Sequence, residues 1–334
     1  MLVSAILLVM KPILTDELLR LLQKISEHYQ PPPIRCKRGR EPHFSDLSFL
    51  LLAAVAVVTK TFADAELFRL LQTDSKLRET CGFARVPHRT TILRRLKSLT
   101  WQAEQQISLV GADILATVAG KQESQTVSAI DGRMYQSIGP KWHKKHRQEG
   151  QVPLGLRNVD SESEWFKSGY RGWVQGYRLV LQSLVFPVPV PLSATWATNN
   201  IGESTIAKQS ISEHRLVKTD VLLGDETFGG QALVALYRKA NGWLLTPQQL
   251  PKKRRSFKAD LYDYRKETIE LLFQRIIQSF DLKTCQVKGL HKNGAFVLAA
   301  VWLYQIIFLM NYHQKKPLFV IKELIESARW RIQS

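Results

Sequence analysis

Residues 220–230 read Asp-Val-Leu-Leu-Gly-Asp-Glu-Thr-Phe-Gly-Gly. The apolar run at 221–224 predicts a short buried strand, and the glycines that follow predict a turn into a helix starting near Gly230. The strand therefore ends on a carboxylate, Asp225, which is a candidate site residue. Capping of the helix that follows explains the same aspartate equally simply.

Two more acids stand in comparable places. The segment Thr126-Val-Ser-Ala-Ile-Asp131-Gly also predicts a strand that ends on an aspartate, and Glu270 lies on a predicted later helix. Singly, Asp131 could belong to an ordinary Asp-Gly turn and Glu270 could be a surface charge. Together, two strand-end aspartates and a helical glutamate in a basic chain indicate a two-metal phosphoryl-transfer site acting on nucleic acid.

The net charge limits the class of partner. The 334 residues include 47 Lys and Arg against 29 Asp and Glu, so the formal charge is +18. Such an excess favours a polyanion, because each cation set against a phosphate releases condensed counterions. A merely solvated basic surface is the alternative. The three cysteines, Cys36, Cys81 and Cys285, lie far apart, which argues against a disulfide scaffold or a cysteine zinc site and fits a reducing cytoplasm.

Apolar stretches raise the question of a membrane. Residues 2–10 lack the basic start and cleavage site of a signal peptide, and Met10 is an alternative start to Met1. Residues 47–58 are too short to span a bilayer. Residues 294–312 are uncharged, but Gln305 and Asn311 are more typical of a buried core helix. We therefore expect no membrane association.

The chain is expected to divide into three parts. Residues 10–120 form a helical region for DNA binding and dimerisation, residues 121–315 a catalytic domain, and residues 316–334 a C-terminal tail. Within the first part, Pro87-His-Arg-Thr-Thr91 precedes a helix that carries Arg94 and Arg95. That arrangement is compatible with a recognition helix, and a helical bundle with a basic solvent face fits it as well.

The order of elements predicts the fold. Strands are expected at 126–130, 172–185, 188–195, 221–224 and 243–246, and helices at 203–214, 230–240, 261–280 and 294–312, with a loop at 155–166. Hairpin strands followed by alternating helices and strands indicate an α/β fold with a mixed sheet flanked by helices. This is the order of a ribonuclease-H-like core, here preceded by a helical domain.

The predicted helix at 261–280 allows a choice between two glutamates. Six apolar residues share one face of it: Ile269, Leu272, Phe273, Ile276, Ile277 and Phe280. On the same helical wheel Glu270 lies about a quarter turn from the apolar centre, and Glu267 points nearly to the opposite side. A carboxylate at the rim of the core could reach metals at the sheet edge, so Glu270 is the better candidate.

These segments resemble the DDE transposases of bacterial insertion sequences, close to the insertion sequence 4 family. The resemblance covers residues 126–312 and is carried by Ala129-Ile-Asp131-Gly, Asp160-Ser-Glu-Ser-Glu-Trp165 with Gly172-Trp-Val-Gln-Gly-Tyr177-Arg-Leu, Leu222-Leu-Gly-Asp225 with Phe228-Gly, and Tyr262-Asp-Tyr-Arg265-Lys-Glu-Thr-Ile-Glu270-Leu-Leu-Phe273. Arg38-Gly-Arg40, Cys81-Gly-Phe83 and Pro87-His-Arg also resemble the helical leader of that family. The family has a basic residue four positions before the glutamate; here that residue is Lys266, and Arg265 stands one place off. Ile277 stands where the family has a lysine. These departures concern groups that the family uses on DNA.

The resemblance implies an activity. Asp131, Asp225 and Glu270 would hold two Mg²⁺ or Mn²⁺ ions, with Asp131 bridging them, since Mg²⁺ prefers carboxylate oxygens. A water would cut the DNA at the element end, and the freed 3′-hydroxyl would attack target DNA, without a covalent protein–DNA intermediate. The implied partners are double-stranded DNA, as terminal inverted repeats and as target, and a second copy forming a homodimer on it. The expected location is the cytoplasm, at the nucleoid.

Basic residues near the acids are the predicted DNA contacts. They are Lys141, Trp142, Lys144, Lys145, Arg147, Lys252, Lys253, Arg254, Arg255, Tyr262, Arg265 and Lys266, together with Arg94 and Arg95. The lysines and arginines could neutralise phosphates, and Trp142 could stack on a flipped base. Each run could instead be a solvated loop. Two other hypotheses stay open: a catalytically silent, transposase-derived DNA-binding protein, and a membrane-associated protein that uses residues 294–312.

Overall fold

A computed structural model describes residues 43–119, 125–151, 158–169, 172–249 and 257–326. Before the sheet, five helices follow one another: α1 Asp46–Thr59, α2 Asp64–Thr73, α3 Ser75–Thr80, α4 Arg89–Ser98 and α5 Thr100–Ala119. Three of them begin at side-chain caps, where Ser45 accepts from the Ser48 amide, Asp74 from the Leu77 amide and His88 from the Thr90 amide. α1 is buried along its whole length, which explains its nearly unbroken apolar sequence.

Six strands form one mixed sheet: β1 Val127–Gln136, β2 Glu164–Ser168, β3 Gly172–Leu184, β4 Val190–Thr198, β5 Val221–Leu223 and β6 Trp243–Leu245. The strand order is β2, β3, β1, β5, β6, and β4 also pairs with β3. β3 is antiparallel to β1 and to β4, whereas β5 is parallel to β1 and β6 is parallel to β5. Antiparallel hairpin strands therefore continue into a parallel half, as the ribonuclease-H-like prediction requires.

The remaining helices cover both faces of the sheet. They are α6 Lys144–Gln148, α7 Glu203–Ser212, α8 Gln231–Lys239, α9 Phe257–Phe280 and α10 Leu290–His313. Neighbouring strand residues alternate between two cores: Ala129 belongs to the core that includes residues of α1, α5, α9 and α10, whereas Ile130 belongs to the core that includes residues of α7 and α8. Helices on both faces confirm the predicted fold class.

The prediction of a loop at 155–166 is wrong for its last three residues. Residues from Glu164 onward belong to β2, which pairs with Gly172–Gly176 of β3. β1 and β4 pair with β3 only from Gly176 and Tyr177 onward, so the first residues of β3 would otherwise lack a partner. β1 also extends beyond the predicted residue 130, because its second half pairs with β3 as far as Gln136.

α10 is the central helix of the larger core. It is long and apolar enough to cross a membrane, and α1 with α2 passes the same test only as a pair bent by 100°. The protein itself buries 94% of the most apolar window of α10, as expected of a core helix. Gln305 within α10 donates to the carbonyls of Ile107 and Pro191. The absence of membrane association and the domain boundary near residue 120 stay predictions.

Candidate metal centre and nucleic-acid interface

The strand pairing brings Asp131 and Asp225 together. Ala129 of β1 lies beside Leu223 of β5, and the two strands are parallel. Each aspartate lies two residues further along its own strand direction, so both carboxylates reach the same level of the sheet. The sequence prediction that these two acids converge is confirmed by this geometry.

A third carboxylate, Glu203, joins them from the predicted helix at 203–214, although it was not among the predicted site residues. Oxygens of Asp131, Glu203 and Asp225 all lie within 4.8 Å of one another. Glu203 is the first residue of α7, which covers the face of the sheet opposite to Ala129. Gly132 makes this approach possible, because a Cβ added there would lie 2.3 Å from Glu203 Oε1.

Short hydrogen bonds hold the two aspartates. The Gly132 amide donates to Asp131 Oδ1 at 2.8 Å. Thr227, in the turn after β5, donates its amide to Asp225 Oδ1 at 2.8 Å and places its hydroxyl 2.6 Å from the same oxygen. The Thr227 hydroxyl also lies 3.1 Å from Glu203 Oε2, so this one side chain bridges two members of the group.

The electrostatics of the group favour an added cation. Burial raises the pKa of Asp131 to about 7; Arg265 and the Gly132 amide oppose the increase, while Glu203 and Asp225 add to it. Burial also raises the pKa of Glu203, with Arg178 opposing and Asp225 adding to the shift. Carboxylates in this arrangement repel one another, and a divalent cation between them would relieve that repulsion.

Two buried arginines flank the carboxylates. Arg178 Nη1 lies 3.5 Å from Glu203 Oε1, and Arg265 Nη1 lies 3.8 Å from Asp131 Oδ2. Arg178 lies over the Phe166 ring at 4.4 Å, and Arg265 lies over Tyr262 at 5.1 Å. The two guanidinium groups therefore offset only part of the charge of three ionised carboxylates.

The donor set fits a hard divalent cation. It consists of carboxylate oxygens, which Mg²⁺, Mn²⁺ and Ca²⁺ prefer, and the group contains neither histidine nor cysteine. Cys81 and Cys285 are free and buried. Burial raises the pKa of the Cys81 thiol to about 12.

Glu270 lies elsewhere on α9. Its side chain is exposed, as are Lys266 and Glu267. α9 faces the acidic group through Arg265, and Glu270 is five residues further, which is about 140° around the helix. Ile269 faces the core and is fully buried. The metal-binding role of Glu270 therefore stays a prediction, since the described structure groups Asp131 and Asp225 with Glu203 instead.

The first basic run forms an aromatic and basic cluster around α6. Lys141, Lys144 and Lys145 are exposed. Arg147, by contrast, donates to the carbonyls of Ser161 and Ser163 and pairs with Glu164 at 3.1 Å. These contacts of Arg147 hold the loop before β2 in place. The three lysines, by contrast, are accessible to phosphates.

A second aromatic ring lies in the same cluster as Trp142, whose predicted base stacking stays a prediction. Trp142 is partly buried beneath Arg147 and donates its indole N–H to the Gln151 carbonyl. Trp173 on β3 is 53% exposed and has Lys144 Nζ 5.6 Å from its ring centroid. Trp173 is therefore the more accessible ring of this cluster.

The other predicted DNA contacts lie in different surroundings. Arg94 is exposed, whereas Arg95 pairs with Asp46 and donates to the Phe44 carbonyl, joining α4 to the start of α1. Tyr262 and Arg265 adjoin the acidic group, as described above. Lys252, Lys253, Arg254 and Arg255 lie outside the described residues. Their roles on DNA stay predictions.

Asp160, which lies in the acidic loop that contributes to the sequence resemblance, makes structural contacts. It is buried and accepts hydrogen bonds from the Tyr177 hydroxyl at 2.8 Å and the Gly289 amide at 3.1 Å. Glu162 accepts from the Leu290 amide at 2.8 Å. This loop therefore holds the start of α10 and is not a member of the carboxylate group.

Comparisons with known proteins find no match by sequence, and the matching solved structures have low sequence identity and low TM-scores. No protein-family model and no curated protein sequence matches the chain. The cryo-EM structure of a piggyBac transposase synaptic complex with hairpin DNA is similar over 96% of this chain and 77% of its own, at 9% identity and a TM-score of 0.42. A Mos1 transposase paired-end complex with left transposon end matches 73% of this chain and 77% of its own, at 13% identity and a TM-score of 0.22. The Mos1 mariner paired-end complex with Mn covers 86% of this chain and 85% of its own, at 13% identity and the same TM-score.

Proposed function

We propose that this protein is a DNA transposase that cuts and joins DNA strands at the ends of an insertion sequence with the help of divalent metal ions. The observation that carries the proposal is the meeting of Asp131, midway along β1, with Asp225, which lies just after the adjacent parallel strand β5. Their position in a ribonuclease-H-like sheet, within a chain of charge +18, supports action on a nucleic acid phosphodiester.

The residues of the site suit this chemistry. Two bound Mg²⁺ or Mn²⁺ ions would polarise the phosphodiester and favour a deprotonated oxygen nucleophile. Asp131 and Asp225 would hold the ions, and Glu270 remains a proposed further ligand from the sequence. Arg265, whose Nη1 and Nε have no hydrogen-bond partner within the described part of the chain, could donate to a non-bridging phosphate oxygen. No serine, cysteine or tyrosine is needed as a nucleophile.

Two displacements of the same kind would follow. In the first, a water oxygen bonds to phosphorus at the element end, its proton leaves to solvent, and the P–O3′ bond breaks to free a 3′-hydroxyl. In the second, the oxygen of that hydroxyl bonds to a target phosphorus and its proton leaves to solvent, while the target P–O3′ bond breaks and the departing O3′ takes up a proton from solvent. Exposed Lys141, Lys144 and Lys145 would hold the DNA backbone. We further propose a homodimer on DNA, located at the nucleoid in the cytoplasm.

The decisive assay uses plasmid DNA that carries the sequences flanking the gene, incubated with Mg²⁺, Mn²⁺ or EDTA. The wild type should cut at the inverted repeats only with metal. Asp225→Asn should lose at least a thousandfold in cleavage while DNA binding in a mobility-shift assay stays within threefold. Glu226→Gln, an exposed neighbour outside the group, is the matched control and should cut normally.

A catalytically silent DNA-binding protein is the second candidate, and the exposed position of Glu270 favours it. It predicts that the wild type binds the inverted repeats and never cuts them, whichever metal is present. Absence of both binding and cleavage would refute both candidates.

A further inference from the structure

We propose that Glu203 is a carboxylate ligand of the metal centre and that Arg178 is the residue that positions it. This inference rests on the proposed function but concerns residues of α7 and β3 that the transposase resemblance does not assign. It requires that the side chain of Glu203 reach the aspartates, that something hold it there, and that the surroundings provide for a bound ligand.

Glu203 can reach the aspartates because residue 132 of β1 is a glycine and has no side chain. Asp131 faces the side of the sheet covered by α9, because it shares that side with Ala129. Glu203 comes from α7, on the opposite side, and its carboxylate occupies the place where a side chain at position 132 would project. Oxygens of Asp131 and Glu203 can lie within 4.8 Å of each other only because Gly132 leaves that space.

Arg178 fixes both the carboxylate and the start of its helix. Its Nη1 lies 3.5 Å from Glu203 Oε1 and also donates to the Ile201 carbonyl at 3.2 Å, two residues before Glu203. The guanidinium is held over the Phe166 ring at 4.4 Å. Arg178 thus connects β3, β2 and the first turn of α7 at one point.

Unpaired N–H groups indicate that the site is built for a ligand. The side chain of Arg178 is only 2% exposed and that of Arg265 only 8%. Even so, Nε and Nη2 of Arg178 and Nε and Nη1 of Arg265 have no hydrogen-bond partner among the described residues. Buried donors without acceptors cost free energy. A divalent cation accompanied by phosphate oxygens would supply both the charge and the missing acceptors.

The test measures Mn²⁺ affinity of the full chain by isothermal titration, without DNA. Glu203→Gln, which keeps the shape and removes the charge, should raise the Kd at least tenfold. Arg178→Lys should raise it about 10- to 100-fold, as for other residues that orient a metal ligand. The double variant should be no weaker than Glu203→Gln alone, because Arg178 acts through Glu203. Lys208→Gln, on the same helix, is the control and should bind like the wild type.

Folding is checked separately, since Arg178 is buried. Each variant is unfolded with urea in EDTA, and Glu203→Asp serves as a second variant that keeps the charge while withdrawing the oxygens by one methylene. An unchanged Kd in Glu203→Gln, or in a folded Arg178→Lys, overturns the inference. If these bind normally while Asp225→Asn does not, the proposed function stands without Glu203. If Asp131→Asn and Asp225→Asn also bind Mn²⁺ normally, the proposed function itself fails.

Discussion

Substitution of Gly132 by alanine should impair the metal centre without unfolding the protein. The new Cβ would lie 2.3 Å from Glu203 Oε1, whereas ordinary contacts begin at 3.4 Å, so the carboxylate must retreat by about 1.1 Å (3.4 − 2.3). That is about half of a Mg²⁺–oxygen bond of about 2.1 Å. Glu203 could then no longer bind alongside Asp131 and Asp225, and we expect Mn²⁺ affinity to fall about tenfold, or ~1.4 kcal/mol.

The atoms displaced are the far end of a flexible side chain, so the fold itself should tolerate the change. Alanine also restricts the unfolded chain more than glycine does, which offsets part of any strain. We therefore expect the free energy of unfolding in EDTA to change by less than about 1 kcal/mol. Gly202→Ala is the matched control, because a Cβ there would meet nothing closer than Thr205 Oγ1 at 4.0 Å.

Isothermal titration with Mn²⁺ and urea unfolding, both on the full chain, measure the two quantities. A Gly132→Ala variant that binds Mn²⁺ as tightly as the wild type would refute the argument, because Glu203 could then leave the group at no cost. A variant that lost metal binding together with several kcal/mol of stability would show that Gly132 matters to the strand and not to the carboxylate.

Four more outcomes are expected. Glu270→Gln should abolish metal-dependent cleavage. Glu267→Gln should change the cleavage rate by less than about tenfold, or ~1.4 kcal/mol in the barrier. If Glu267→Gln is inactive and Glu270→Gln is active, the choice of Glu270 over Glu267 is wrong. Asp160→Asn should lower stability by about 1 kcal/mol in urea unfolding but leave the Kd for Mn²⁺ unchanged. The pKa of Asp131 rises from its ordinary 3.8 to about 7 on folding, so its contribution to stability is largest below pH 4 and is lost as the pH rises through 7; Asp131→Asn should therefore gain on the wild type between pH 4.5 and pH 8 in EDTA, by at most about 4 kcal/mol. Trp173→Ala should weaken binding of single-stranded DNA by about fivefold or more in fluorescence anisotropy, whereas equal binding would remove the ring from the interface.

The sequence could predict Asp131 and Asp225 because each stands at a regular place in its own segment. An apolar run, an acid and a glycine turn are local signals, and parallel pairing of the two strands then brings the acids to one level. The alternation of helices and strands likewise predicted the layers of the fold. Strand β2 escaped detection because it is short and forms only where β3 extends past its other partners.

Glu203 could not be recognised in the same way. An acid in the first turn of a helix is common because it complements the helix dipole, so its position carries no metal signal by itself. The informative partner is Gly132, and its significance depends on α7 packing across that particular strand. The helical wheel of α9 was limited for a related reason: it placed Glu270 at a rim of the apolar face but could not tell which rim adjoins Asp131. In the structure that side of α9 presents Arg265.

The packing of α10 against α1 has a consequence for synthesis on the ribosome. The two helices share one core, yet 313 − 59 = 254 residues separate their C-terminal ends. At about 5–20 residues per second, α1 waits roughly 13–50 s after its own translation before its partner emerges. Throughout that interval the apolar surface that α1 buries against α10 has no native cover, although α4 already packs against another part of α1. We therefore expect nascent chains to depend on chaperones, and active protein to accumulate only after the distal helix has left the exit tunnel.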